Sequence, residues 1–270
     1  MLRDLVPLLR CPWCREAPLT LLDATGSQPR ALQATLRCES CGRRSPVHEG
    51  IWDAMGPHRP QRSAAQLTNV LSLTAHLYER VWRTRSLRLL SGRPFSIADE
   101  IEELCRATGP KEGDVFVDVA CSEGLYARAL AERGATVIAV DHSRAFLRRV
   151  NSRAADLPVV AIRSLAQHLP LRDDVVDGAA MGGSLNEIGD APAAIHEMAR
   201  IVRPGGPLFS MSLTTATTGR GRLLQQLVRP SGIAFLNTHA TERLFSDAGV
   251  SELRSRLDGV VLRISGAVTS

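Results

Sequence analysis

A chain of 270 residues with 44% hydrophobic residues is long enough for one full core plus a small appended module, which bounds the domain count at one or two. Its formal charge of +5 and pI of about 9.2 come almost wholly from arginine, Lys111 being the only lysine; arginine in that proportion can reflect codon usage, so the charge alone does not make this a nucleic-acid binder. No stretch approaches the roughly 18 apolar residues of a membrane span, and Met1–Pro7 leads into no apolar signal region, so the expectation is a cytoplasmic protein whose six cysteines are metal ligands or buried thiols before they are disulfides.

The first segment, residues 1–56, carries "CPWC" at 11–14 and "CESC" at 38–41. Each Cys-x-x-Cys turn can present two sulfurs to one ion, and two such turns make a closed tetrahedral zinc site from Cys11, Cys14, Cys38 and Cys41. A redox dithiol would need one pair in a βαβ setting, whereas here two pairs lie in a segment that reads as strand-poor. A four-thiolate site has no open position for substrate, so this zinc is expected to fold its module. Cys105 and Cys121 stand apart and read by default as buried thiols.

Residues 57–110 form an arginine-rich connector in which Leu71, Leu73, Leu77, Val81 and Trp82 recur at helical spacing. It reads either as a lid over the mouth of the next domain or as a plain connecting helix pair. From residue 111 to 270, short apolar runs alternate with amphipathic stretches. Strands are expected over Val115–Val119, Thr136–Val140, Val159–Ile162, Val175–Met181 and Pro207–Leu213, with helices over Leu125–Arg133, Arg144–Ala155 and Ala191–Val202. That alternation predicts an α/β, Rossmann-like, mainly parallel sheet. The runs Ser251–Arg256 and Val260–Ile264, joined at Asp258-Gly259, predict a closing antiparallel hairpin.

The stretch "VDVACSEG" at 117–124 follows the first of these strands. Asp118 ends the strand, Ala120, Cys121, Ser122 and Gly124 make a small-residue turn, and a helix amino terminus follows. Asp141 ends the next strand about 20 residues on, as expected of an acid that grips a ribose diol. Small residues fall at every second position rather than as G-x-G-x-x-G, which disfavours a dinucleotide. With alanine and serine where glycine is usual, close ligand approach is retained if φ stays negative at 120 and 122. His142, Asn186 and Glu187 are the candidate catalytic groups at the carboxyl edge of the sheet; the alternatives are cofactor-side packing or capping, a turn role, and a helix-start role.

Together "VFVDVACSEGLYARALAERG", "VIAVDHS", "LPLRDDVVDGAAMGGSLNEIGD" and "AIHEMARIVRPGGPLF" resemble the ordered motifs of class I S-adenosylmethionine-dependent methyltransferases. The resemblance implies that Asp118 and residues 120–124 lie against the methionine part of that cofactor, that Asp141 takes the ribose and His142 follows it, and that Ser164 and Leu165 stand on the adenine side, where the family usually has an acid. The amino-terminal module resembles those of 23S ribosomal RNA guanine-N1 methyltransferases and, through "LYERVWRTRSL", more closely those of plastid-associated methyltransferase-like proteins. Three functions follow: methylation of a small or lipophilic molecule, methylation of ribosomal or transfer RNA held by the zinc module, or a degenerate, non-catalytic binding protein. The acceptor pocket is expected from the connector and from loops at 182–190 and 214–240.

Overall fold

The computed structural model describes residues 1–26, 31–59 and 96–269. After a short helix α1 (Leu2–Leu5), the cysteine-bearing segment forms β1 (Leu19–Thr25), β2 (Gln33–Cys38), β3 (Arg44–His48) and β4 (Ile51–Asp53). The expectation of a strand-poor segment is therefore corrected. Gln33–Cys38 alternates exposed and buried residues, the period-two pattern of a half-buried strand, masked in the sequence by its charged and polar members. Most of the connector expected at 57–110 lies outside the described residues. Its end is α2 (Ile97–Thr108), whose Ser96 cap accepts a hydrogen bond from the Asp99 amide at 3.2 Å.

The alternation that follows is β5 (Val115–Val119), α3 (Leu125–Ala131), β6 (Thr136–Asp141), α4 (Arg144–Arg153), β7 (Val159–Arg163), β8 (Gly178–Gly182), α5 (Ala191–Ile201) and β9 (Pro207–Leu213). Two helices, α6 (Gly219–Val228) and α7 (Thr238–Asp247), precede the hairpin β10 (Val250–Asp258) and β11 (Val261–Val268). The strand expected at Val175–Met181 begins only at Gly178, because Val175 and Val176 hydrogen-bond to the Ile201 carbonyl instead. The stretch 214–240, expected as a loop, contains α6.

The eleven strands among the described residues lie in one sheet, ordered β1-β2-β3-β4-β7-β6-β5-β8-β9-β11-β10. From β4 to β9 the neighbours are parallel; both ends are antiparallel. The amino-terminal strands thus extend the central sheet through the parallel β4–β7 pair, in which Trp52 stands opposite Ile162. Alternate residues of the parallel strands feed two cores, as a sheet covered on both faces requires. Phe116, Val137 and Ala139 pack with Leu104, Leu130 and Leu147. Val117, Val119, Ile138 and Val140 share a cluster with Met198 and Phe245, and with Leu9, Leu36 and Trp52 of the cysteine-bearing segment.

Candidate functional site

The parallel strands β5, β6 and β7 all end at one edge, the edge at which open α/β sheets place ligands. There a cleft of about 210 Å³ is lined by Ala120, Asp141, His142, Ser164 and Leu165, so these five sequence candidates meet. Arg59, Ala166, Gln167, His168 and Ile188 also line it; the sequence singles out none of them, although Ile188 lies within the motif that ends "SLNEIGD" and Ala166, Gln167 and His168 directly follow Leu165. Asp118, Cys121, Ser122, Gly124, Asn186 and Glu187 are not among its lining residues.

The loop that leaves β5 differs from expectation in one decisive respect. Ala120 and Ser122 both take positive φ, 53° and 51°, where negative values were expected. Non-glycine residues are driven there by surrounding contacts, and those contacts are visible. The Ala120 carbonyl accepts the Ser184 hydroxyl at 3.0 Å, and the Ser122 amide donates to Asp141 Oδ2 at 3.0 Å. Gly124, at φ 74°, opens α3, and Asp118 Oδ2 accepts from the Ala127 amide at 2.8 Å, capping that helix from the strand. The backbone is therefore that of a glycine-rich loop, written without two of its glycines.

Asp141 is nearly inaccessible, 5% exposed. Its two oxygens accept amides from opposite sides, Ser122 and, at 2.7 Å, Ser143, and His142 Nδ1 lies 3.5 Å from Oδ1. Burial pushes this carboxyl above the ordinary aspartate value, against the opposing pull of His142 and the backbone amides. Of the remaining candidates, Asn186 is buried and committed to the protein: its amide bridges the Leu213 backbone and the Ala234 carbonyl. Glu187 is half-buried in the turn after β8, its amide donating to the Ser184 carbonyl at 2.9 Å. Cys121 is buried, and its Sγ lies 3.7 Å from the Ser122 carbonyl.

His168, in the cleft lining, stacks on His58, ring centroids 3.6 Å apart and 13° from parallel. Burial lowers the pKa of each, which keeps the pair neutral near pH 7. His168 Nδ1 is buried with no hydrogen-bond partner among the described residues.

The four cysteines gather as their spacing predicts. Their sulfurs all lie within 4.8 Å of one another, with Cys11–Cys41 at 3.7 Å and Cys14–Cys38 at 3.6 Å. A tetrahedral ion with metal–sulfur bonds of about 2.3 Å requires edges of about 3.8 Å, so the donor set fits zinc. The two turns are backbone copies. In each, the fifth residue donates its amide to the first cysteine's carbonyl (Arg15 to Cys11, Gly42 to Cys38), and the first cysteine donates to the sixth residue's carbonyl (Cys11 to Glu16, Cys38 to Arg43). Both fifth residues have positive φ, 64° and 71°.

Glu197 of α5 joins this module to the cleft. It binds Arg200 through two 2.7 Å contacts, Arg15 at 3.0 Å and Arg10 at 3.5 Å, and accepts the Leu169 amide at 2.8 Å, next to His168. Burial alone would raise its pKa, but Arg200, Arg10 and Arg15 outweigh that and hold it below the ordinary glutamate value.

Residues 117–210 match the family model described as "Methyltransferase domain". A demethylmenaquinone methyltransferase of Corynebacterium kroppenstedtii is 35% identical over 106 residues, 39% of this chain and 44% of the relative. An uncharacterized chloroplastic methyltransferase of Arabidopsis thaliana is 31% identical over 50% of this chain and 40% of its own length. The chain thus spans less than half the length of these curated relatives. Among solved structures, Haemonchus contortus phosphoethanolamine N-methyltransferase 2, in complex with phosphomonomethylethanolamine and S-adenosylhomocysteine, superposes with a TM-score of 0.62 at 13% identity, over 77% of this chain and 59% of the other. That likeness concerns the fold, the Rossmann-like methyltransferase fold with an antiparallel carboxyl-terminal end.

Proposed function

We propose, on the premise that residues 117–210 carry a methyltransferase domain, that this protein transfers a methyl group from S-adenosylmethionine to a small or lipophilic acceptor. The observation that carries the reading is the loop from Ala120 to Gly124, which keeps glycine-type backbone geometry while its Ser122 amide is tied to the buried Asp141 carboxylate. Asp141 would accept the ribose hydroxyls, the 120–124 backbone would line the methionine part, and Ser164, Leu165 and Ala166 would flank the adenine with an apolar wall in place of an acid. Bound there, the cofactor supplies an activated methyl on a sulfonium with a neutral leaving group, so the protein's task is alignment and exclusion of water. A hydroxyl acceptor needs a proton acceptor as well, and His142, in the cleft lining, is the titratable group best placed for it. The acceptor class is supported by relatives whose names refer to menaquinone. The four thiolates would hold a structural zinc that keeps the amino-terminal strands folded.

Titration calorimetry with S-adenosylmethionine and its demethylated product tests the reading. Binding is expected, and Asp141→Asn should weaken it by about tenfold or more, since a charged acceptor contributes roughly 1.5–3 kcal/mol. The same carboxyl gives a pH signature. Its pKa is raised above 3.8, and only the ionised form offers both oxygens to the diol. Affinity should therefore fall on acidification, beginning at a pH above the ordinary aspartate range. Absence of heat with both ligands would remove the enzyme and leave a non-catalytic binding protein.

A further inference from the structure

Helix α6 is inside out. Among its described side chains the buried positions are Gly221 and Gln225, and the Gln225 amide accepts from the Ala216 backbone and donates to the Thr214 carbonyl, both at 2.8 Å. Its leucines face water: Leu223 is 60% exposed, Leu224 40% and Leu227 70%. Leu227 stands four residues from Leu223 and three from Leu224, which puts the three on one side of the helix. A helix at a protein surface ordinarily turns such a stripe toward the core, so this one is kept outward at a cost in solvation. Leu257, 48% exposed, lies on the neighbouring hairpin. The hairpin turn meets the end of β9, because Val261 pairs with Leu213 and the Thr214 amide donates to the Val260 carbonyl. Of the five large hydrophobic side chains exposed among the described residues, four belong to these two elements. Both elements lie toward the carboxyl end of β9, on the edge of the sheet that carries the cleft.

The charge pattern selects a partner. Between Leu213 and Thr241 the chain has no aspartate or glutamate, but it has Arg220, Arg222 and Arg229; Arg222 and Arg229 flank the leucines and are exposed. Residues 60–95 of the same chain hold six arginines and one acid, Glu79, so covering α6 with them would set cations against cations. A second copy docked face to face would do the same. An anionic lipid surface satisfies both features at once, receiving leucines at the headgroup–acyl boundary and pairing arginines with phosphates. We propose that α6 and Leu257 form a docking face for an anionic bilayer, lying in its interface rather than crossing it. Ten residues of helix extend only about 15 Å against a hydrocarbon thickness of about 30 Å, and no helix among the described residues is long and apolar enough to span. The inference rests on exposure and charge and holds whatever the methyl acceptor is.

Co-sedimentation of the full chain with vesicles tests it, comparing phosphatidylcholine alone with equal parts phosphatidylglycerol and phosphatidylcholine. Binding is expected on the anionic vesicles at low salt, weaker on the neutral ones. The double variant L223S/L227S should lose about tenfold or more in vesicle affinity with unchanged far-UV circular dichroism and melting temperature. R222E/R229E should abolish the preference for anionic lipid, about fivefold for each arginine removed. L257S, on a separate element, should weaken binding less. Failure of the unaltered chain to bind anionic vesicles would overturn the proposal. So would full binding by L223S/L227S, or a leucine-dependent dimer in analytical ultracentrifugation with no vesicle binding.

Discussion

Ala120 and Ser122 hold the left-handed conformation without being glycine, and the cost of that choice is measurable. An L-residue in this region loses roughly 1–2 kcal/mol, while the glycine that would relieve it also gains unfolded-state entropy of about 0.4–1 kcal/mol. Ala120→Gly and Ser122→Gly should therefore each stabilise the protein by about 0.5 kcal/mol, raising the melting temperature by a degree or two, with cofactor affinity kept or improved. A fall in melting temperature for both would show that the methyl and hydroxymethyl groups contribute packing that outweighs the strain. Nothing in the sequence announces these φ values, since alanine and serine ordinarily keep negative φ. Tertiary contacts decide them: Ser184 on the Ala120 carbonyl and Asp141 on the Ser122 amide. Asp141 itself was legible, by its position at the end of the second strand of an alternating pattern, but its second task of pinning the loop was not.

At the scale of elements, β5, β6, β7 and β9 fall where apolar runs end in turn formers, and α3, α4 and α5 where amphipathic spacing places them. Local pattern suffices for these because both faces of the strands are buried. What joins elements distant in the chain is invisible to such a reading. Glu197 meets Arg10 across 187 residues and Arg15 across 182, and in sequence it is one more acid on a helix. It is only 8% exposed, and its removal would leave Arg10, also 8% exposed, and Arg200 short of a counter-charge. Glu197→Gln should cost about 3 kcal/mol in chemical denaturation, the usual consequence of breaking a buried ionic cluster from one side. The pH dependence follows from the lowered pKa. The stabilisation is fully present above the ordinary glutamate value of 4.5 and is lost as pH falls through the lower folded value, so the variant should show less acid destabilisation below pH 4.5 than the unaltered protein. Because the Leu169 amide also rests on this carboxylate, cofactor affinity should fall with it; an unchanged stability would mean that the arginines find water instead.

Across the whole molecule, the amino-terminal module and the alternating domain read in sequence as separate units, at 1–56 and 111–270, because their compositions differ so sharply. Yet β4 pairs with β7 residue for residue from Ile51 to Asp53, the Trp52 side chain is fully buried in the same cluster as Val140 and Ile162, and Asp53 binds Arg144 at 2.7 Å and Arg163 at 2.9 Å. Arg163 donates in turn to the His142 carbonyl at the cleft. Apolar burial shared in this way ties the opening of one part to the opening of the other. Loaded with the proposed zinc, the chain should therefore unfold in a single transition, with the tryptophan fluorescence of a Trp82→Phe variant, which reports Trp13 and Trp52, coinciding with far-UV circular dichroism. Removing the metal with a strong chelator, or replacing Cys38 by serine, should lower stability by at least several kcal/mol, a part of the roughly 10–16 kcal/mol that structural zinc contributes to small peptides. Cofactor affinity should drop in parallel, since Ala54 donates to the Arg163 carbonyl at 2.9 Å and Ser164 reaches the Ala54 carbonyl at 3.5 Å, so β4 holds the strand end from which the cleft wall departs. Two separated transitions in the loaded protein, or cofactor binding indifferent to the chelator, would show instead that the sheet is continuous in geometry but not in energy.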